Sequence, residues 1–417
     1  MHVGTTAERP GSSYLLVNLT AAVSPAGRGA PLRGGDLSRL EVHEPAAIAV
    51  VEGRIAAVGA PDDVKQGHAD LAAVDCRRRV AVPGLIDCHT HPAFGGNRAA
   101  EFDLRAQGAD YEQIHASGGG ILSTVEATRG LGQSGLERAV RRHLGWMAAC
   151  GTTTAECKSG YGLNHEAELA SLRAAAGASG DPIETSPTFL GAHAVPPEFA
   201  DADAYLDMLI ADVLPEAAGL AEAADVFVER GAFTADQAGR YLRAAMQHGL
   251  AARMHGDQFS EMGAMELAIE LGARSVDHLE ATGTEGVRRL AGSEVAGVLL
   301  PVAALQLRRP MPPARALIDA GAIVALATDF NPGSAFCHSL PVVMSLACTQ
   351  MGMSAVEALA ACTVNAAWVL GRSDRLGRLA PGYDADIALV DAPDWRFLAY
   401  HLAGGDVTGV IKRGRWL

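Results

Sequence analysis

His89 and His91 stand two positions apart at the end of an apolar run, Val82-Pro-Gly-Leu-Ile-Asp-Cys-His-Thr-His-Pro92. In a strand, side chains at i and i+2 leave the same face. Two neutral imidazoles side by side at the end of a buried strand make half of a metal site, because imidazole is the commonest nitrogen ligand for zinc and also suits iron. Later apolar runs end on residues of matching chemistry: His255 in Arg-Met-His-Gly, His278 in Ser-Val-Asp-His-Leu-Glu and Asp329 in Ala-Thr-Asp-Phe. Taken together, His89, His91, His255 and Asp329 supply three nitrogens and one carboxylate and leave a coordination position for water, as catalytic sites require. His278 is a fifth candidate beside them. A metal in such a set lowers the pKa of water towards ~7, so the chemistry indicated is hydrolysis.

These residues are useful only if the fold brings them together. Between residues 84 and 370, runs expected as strands alternate with amphipathic segments. The strands are Leu85 to His91, Thr152 to Lys158, Glu184 to His193, Asp225 to Glu229, Ala252 to Gln258, Ser275 to Leu279, Val295 to Pro301 and Ile323 to Asp329. Glu137 to Ala149, Glu166 to Ala176, Tyr205 to Leu214, Asp236 to His248, Ala264 to Leu271 and Ala314 to Ala320 place apolar residues at helical spacing. Eight such units predict an α/β fold, a (β/α)8 TIM barrel whose active site is built at the C-terminal strand ends. Ala81 to Asp87 and Ile323 to Thr328 are nearly wholly apolar, as strands buried on both faces should be. His143, His165 and His248 fall on helices and read as solvent-facing.

The two ends of the chain have a different character. Tyr14 to Leu19, Ala47 to Val51, Arg54 to Val58 and Val74 to Cys76 are short strand-like runs between turns, and Asp386 to Val390 and Val407 to Lys412 repeat the pattern. The expected organisation is a small composite β-sandwich from residues 1–83 and 375–417, flanking a barrel of residues 84–374.

Composition narrows the function classes. With 417 residues, 49% hydrophobic and 20% charged, the chain is long enough for a large buried core. Its formal charge of -14 and the shortness of its arginine clusters exclude a nucleic-acid partner. The longest apolar stretch, Val295 to Leu307, is interrupted by Pro301, and the first residues lack the apolar segment of a signal peptide, so no membrane partner and a cytoplasmic location are expected. Seven cysteines, an odd number without Cys-x-x-Cys spacing, read as free thiols.

The pattern Pro-Gly-Leu-Ile-Asp-x-His-x-His, followed by His255, His278 and Asp329 on later strands, resembles the amidohydrolase superfamily. That resemblance implies a barrel with a side β-sandwich drawn from both termini and bears on the whole barrel. Longer segments resemble one branch of it: His89-Thr-His-Pro-Ala-Phe-Gly-Gly-Asn-Arg98, Glu156-Cys-Lys-Ser-Gly-Tyr161-Gly-Leu, Leu190-Gly-Ala-His193 and Ala327-Thr-Asp-Phe-Asn331-Pro-Gly-Ser334. The function implied is opening of the cyclic amide of 4-imidazolone-5-propanoate by water, giving N-formimidoyl-L-glutamate, a step of histidine degradation. The resemblance also implies one divalent or trivalent metal ion, zinc or iron, held by His89, His91, His255 and Asp329, and a homodimer.

The residues suit a small carboxylate-bearing substrate. Arg98 can grip a carboxylate through two parallel hydrogen bonds; Tyr161 offers a phenol donor, and His193 can donate to a ring atom. Asn331, Gly333 and Ser334 form a turn whose amides and short side chains suit the substrate's polar edge. Each has a plainer reading: Arg98 an ion pair with Glu101, Tyr161 a cap on a glycine turn. Asp329 is the expected proton shuttle, and His278 the stabiliser of the developing oxyanion. Some relatives carry Glu three residues after the fifth-strand histidine; here it is Gln258, an amide that cannot take a proton at neutral pH and is expected to orient substrate or water. Lys158 and Glu229 stand where ligands to a second metal are conceivable, but the bridging lysine of dinuclear relatives comes from strand 4, where this chain has Glu229. Gly118 to Gly120 is read as a loop acting as a lid. A mononuclear deaminase and a non-catalytic scaffold are the competing classes; Arg98 argues against the first, and the complete ligand set against the second.

Overall fold

The computed structural model describes residues 11–108 and 119–417. The leader reading of the first residues, and the part of the glycine run before residue 119, lie outside these. Seven short strands precede the barrel: β1 (Tyr14–Leu19), β2 (Ala21–Pro25), β3 (Leu40–His43), β4 (Ala46–Val51), β5 (Arg54–Gly59), β6 (Ala73–Asp75) and β7 (Val80–Pro83). The barrel strands are β8 (Leu85–Asp87), β9 (Thr152–Lys158), β10 (Glu184–Ala192), β11 (Ala223–Val226), β12 (Ala251–Gly256), β13 (Ser275–His278), β14 (Ala296–Leu299) and β15 (Ile323–Leu326). They form one eight-stranded sheet in chain order, every neighbouring pair parallel. The chain ends with β16 (Ile387–Val390), β17 (Val407–Lys412) and β18 (Arg415–Trp416).

All eight expected barrel strands are present, but several ladders stop short of the apolar runs that announced them. The first ends at Asp87 and the last at Leu326. The residues beyond leave the ladder to face the strand ends, some at positive φ, Asp257 and Asp329 at 54° and Leu279 at 70°, and His278, the last residue of β13, already stands at 90°. Such conformations cost about 1–3 kcal/mol each and persist where the surroundings over-determine them. The barrel closes through these extensions. Asp329 N donates to His89 O at 3.1 Å and His91 N to Phe330 O at 3.0 Å, while Asp87 accepts from Thr328 N at 3.1 Å and Thr328 Oγ1 at 2.6 Å.

The strands outside the barrel form two sheets, β5-β4-β1-β6 and β18-β17-β16-β7-β2-β3, the second woven from both ends of the chain. Leu16, Ile48 and Ile55 of one sheet pack with Ala81, Ile387, Leu389 and Ile411 of the other in a single apolar cluster. Sequence reading overlooked β2 and β3. Ala-Ala-Val-Ser-Pro is a weak strand signal, and β3 is a half-exposed edge strand paired to β2.

Helices differ from expectation in three places. The segment expected over Glu137 to Ala149 is the end of a longer helix, Ile121–Ala149, broken at Gly132 with φ 60° and ψ 176°. Tyr205 to Leu214 divides into Ala202–Met208, a π-helical turn Leu209–Val213 and Leu214–Ala217. His143, read as solvent-facing, is buried. It lies one helical turn from Ala139 and Met147, on the face turned to the barrel, where Nδ1 meets Pro92 O at 2.8 Å and the ring stacks on Phe94 at 4.5 Å. All seven cysteines are free, and among the described residues no helix is long and apolar enough to cross a membrane.

Charge joins the β-sandwich to the barrel floor. Glu184, the first residue of β10, accepts from Arg372 Nε at 2.8 Å and faces Lys412 Nζ at 3.0 Å and Arg413 NH2 at 3.1 Å, with Arg375 also paired to it. Burial opposes its charge, yet Arg375, Lys412 and Arg372 hold its carboxyl far below the usual 4.5. A carboxylate with a depressed folded pKa contributes stability in full above its unfolded value and loses it as pH falls below about 4.5 towards the folded one. Glu184→Gln is expected to cost roughly 3 kcal/mol at pH 7, with the difference from wild type shrinking in denaturant titrations at progressively lower pH.

Candidate metal and active site

At the C-terminal end of the barrel, Nε2 of His89 and Nε2 of His91 lie 3.3 Å apart. Oδ1 of Asp329 is 3.5 Å from the first and 3.3 Å from the second. The ligand atoms of His89, His91 and Asp329 fall within 4.8 Å of one another, as do those of His89, His255 and His278. All are buried. Nε2 of His255 has no hydrogen-bond partner. Lone pairs of imidazole and carboxylate turned on one another call for a cation between them. Burial takes His255 down to about 3 and His91 well below 6.5, so both are bases at neutral pH. Burial and Lys158 disfavour a proton on His89, but Asp277 and Asp329 outweigh them and lift it to about 9. The donor set fits a metal ion, whose binding displaces that proton.

Beneath the cluster lies a layer of charge that sequence reading did not assign. His89 Nδ1 meets Asp277 Oδ2 at 2.6 Å and His255 Nδ1 meets Asp225 Oδ1 at 3.1 Å. Each carboxylate accepts a hydrogen bond from Nδ1–H and so turns Nε2 to the centre. Lys158, fully buried, donates to Asp225 at 2.6 Å and Glu156 at 2.8 Å. Arg253 donates to Glu156 at 2.5 Å and to Cys88 O at 2.6 Å. Burial works against the charges of Asp277 and Asp225, but Arg253 and His89 hold Asp277, and His255 and Lys158 hold Asp225, in the ionised form. The signal was present in the strands themselves: charged residues inside otherwise apolar barrel strands must find partners there.

The metal-facing side opens into a cavity of about 200 Å³ lined by His91, Arg98, Tyr161, His193, His255, Gln258, His278, Asp329, Asn331, Gly333 and Ser334. Every anticipated site residue except His89, which lies beneath, borders it. Arg98 does pair with Glu101, at 2.7 and 2.5 Å, while still lining the cavity. Its NH1 lies against Gly333, where a β-carbon would collide with it. Asn331 Oδ1 accepts from the amides of Gly333 and Ser334, both at 2.8 Å, so these two N–H groups serve the turn itself. His278 Nδ1 is 3.4 Å from Glu280 Oε1. Glu229 accepts from Phe259 N at 2.9 Å and Ser260 N at 3.1 Å, clamping the loop after β12, and Lys158 is fully paired. Neither borders the cavity as a second-metal ligand would.

Glu168 was also missed. Fully buried in the helix His165–Gly177, it accepts from the amides of Gly160 (3.0 Å), Gly162 (2.8 Å) and Leu163 (2.8 Å). Gly160 sits at φ 106°, and its carbonyl accepts from His193 Nδ1 at 2.9 Å. One carboxylate therefore shapes the loop that carries Tyr161 and anchors His193. Glu168→Gln should raise KM several-fold with metal content unchanged. Asp277→Asn, by contrast, should weaken metal binding roughly 10–100-fold, read by metal analysis after dialysis against a chelator; full retention would show that Asp277 does not orient His89.

The amidohydrolase family profile matches residues 80–417. Imidazolonepropionase of Rubrobacter xylanophilus is 61% identical over 409 residues, spanning 97% of this chain and 98% of that one. The imidazolonepropionase of Chloroflexus aggregans is 44% identical over 96% of this chain and 97% of its own length. Among solved structures, guanine deaminase of C. acetobutylicum superposes with a TM-score of 0.70 at 14% identity, covering 97% of this chain and all (100%) of that one. A triazine hydrolase does so with a TM-score of 0.70 at 18% identity, covering 98% and 95%; these two establish the fold alone. With its barrel, its histidine and aspartate cluster and full-length identity of this order, the chain belongs to the imidazolonepropionases of the amidohydrolase family.

Proposed function

We propose that this cavity hydrolyses the cyclic amide of 4-imidazolone-5-propanoate to N-formimidoyl-L-glutamate, the ring-opening step of histidine degradation. The observation that carries the reading is the union, in one small cavity, of a three-histidine, one-aspartate cluster with an arginine able to meet a carboxylate. Full-length likeness to imidazolonepropionases supports it. His89, His91, His255 and Asp329 would hold one ion, zinc or iron, both of which accept this nitrogen and oxygen set. When bound, such an ion supplies Lewis acidity and a water acidified towards ~7.

The remaining work falls to the chain's own groups. Arg98 holds the propanoate. Burial raises Tyr161 above its ordinary 10, so the phenol stays protonated and donates. Burial lowers His193, and a neutral ring that gives Nδ1–H to Gly160 O has an acceptor at Nε2, suited to receive a ring N–H rather than to donate to a ring atom as first expected. Gln258 orients the substrate, and His278 stabilises charge developing on the ring carbonyl oxygen. Water adds to the carbonyl carbon, Asp329 takes its proton and passes it to the leaving ring nitrogen, and the C–N bond breaks. Asn331, Gly333 and Ser334 shape the wall beside Arg98. The reading includes a cytoplasmic homodimer in which residues 1–83 and 375–417 form a domain separate from the catalytic barrel of residues 84–374.

Metal analysis of purified protein, together with loss of substrate absorbance, tests the proposal directly. Asp329→Ala should abolish turnover and strip most of the metal, whereas Gln258→Ala should slow turnover about tenfold, the scale of one orienting contact. Equal small losses from both would refute this division of labour. Release of ammonia from aminated heterocycles without ring opening would favour the deaminases.

A further inference from the structure

We propose that Arg105 is the second cation of the carboxylate-recognising end of the cavity, a specificity-determining residue that shares the substrate's propanoate with Arg98. The inference deepens the function proposed above and rests on its carboxylate-bearing substrate.

Arg98 meets the propanoate with its charge already paired. Its Nε and one N–H of NH2 are given to Glu101, at 2.7 and 2.5 Å, which occupies one of the two edges of the guanidinium that can grip a carboxylate. The other edge includes NH1, which lies over Gly333. Glu101 is itself buried and accepts from Gly120 N at 2.8 Å, so it is a fixed part of the wall. An entering carboxylate therefore meets an arginine whose charge is already balanced, with a second carboxylate close by.

Arg105 corrects the balance. It lies on the helix Ala99–Ala106, whose N-cap is Arg98, and stands four residues after Glu101, so Glu101 and Arg105 share one face. Its side chain lines the cavity. Its Nε stands 3.9 Å from Glu101 Oε1, too far for a hydrogen bond, and among the described residues its one hydrogen bond is from NH2 to Gly333 O at 2.7 Å. A guanidinium carries five N–H donors, so among the described residues most of its donors are not engaged and can meet a ligand. Arg98, Glu101 and Arg105 together carry one net positive charge, the complement of one carboxylate. The same Gly333 whose missing side chain admits Arg98 offers its carbonyl to Arg105, and both cations are thereby held beside the turn that follows Asp329.

The test uses the full-length, metal-loaded protein with Arg105→Gln and Arg105→Lys. Two probes, imidazole-4-propanoate and its neutral propanamide, are titrated calorimetrically, and KM and kcat for ring opening are measured alongside. Wild type should favour the acid over the amide. In Arg105→Gln, KM and the Kd of the acid should rise about ten- to a hundredfold, the scale of a charge-assisted contact, while the Kd of the amide and kcat change little; Arg105→Lys should recover part of the loss. Equal weakening of acid and amide, or a fall in kcat or thermal stability alone, would show that Arg105 only braces the Gly333 turn and would overturn the proposal. Because the calorimetry needs no turnover, a protein that selects the acid through Arg105 yet opens no ring would sink the assigned reaction and leave this inference standing.

Discussion

Closure of the barrel between its first and last strands is the constraint on which the site depends. The hydrogen bonds that join them, from Asp329 N to His89 O and from His91 N to Phe330 O, run through the histidine and aspartate cluster itself. Three of the four residues proposed to hold the metal are thus positioned by backbone pairing rather than by side-chain packing. Asp87 strengthens the seam by taking both the amide and the hydroxyl of Thr328. Burial pushes that carboxyl up to about 7 against those hydrogen bonds, a measure of how dry the seam is.

A second layer determines which way the ligands point. Asp225 and Asp277 each hold a histidine by Nδ1, and both belong to a network with Glu156, Lys158 and Arg253 in the barrel interior. Isolated, any of these charges would cost several kcal/mol to bury; paired in a closed set, they give the imidazoles a fixed tautomer and direction. The cavity wall works in the same manner. Glu168 folds the loop of Tyr161 and His193, and Glu101 aligns the arginines of the opposite side. Buried carboxylates thus appear repeatedly one contact behind the groups that face the substrate.

Much of this protein was legible one element at a time. Apolar runs, each ending on a polar residue, announced eight barrel strands, and the i, i+2 spacing of His89 and His91 announced two imidazoles on one face, because both are properties of a single extended segment. Ligands on later strands could be nominated by the same rule. The failures have a common cause. At or just beyond the ends of the ladders, His278, Asp257 and Asp329 turn through positive φ, which shortens strands that the hydrophobic pattern extends. His143 looked exposed because a polar residue on a helix gives no sign that the facing loop holds a free carbonyl for it.

Local periodicity and residue type were enough to read the barrel, its order of strands and the residues at their ends. The fold alone supplied the partners: Arg98 gives one edge of its guanidinium to Glu101, Asn331 occupies the Gly333 and Ser334 amides, and Asp225 and Asp277 stand behind the histidines. Hydrogen-bond donors and acceptors are exhausted by whichever partners the fold brings within 3 Å or so, and partners from different strands leave no trace in the spacing of either.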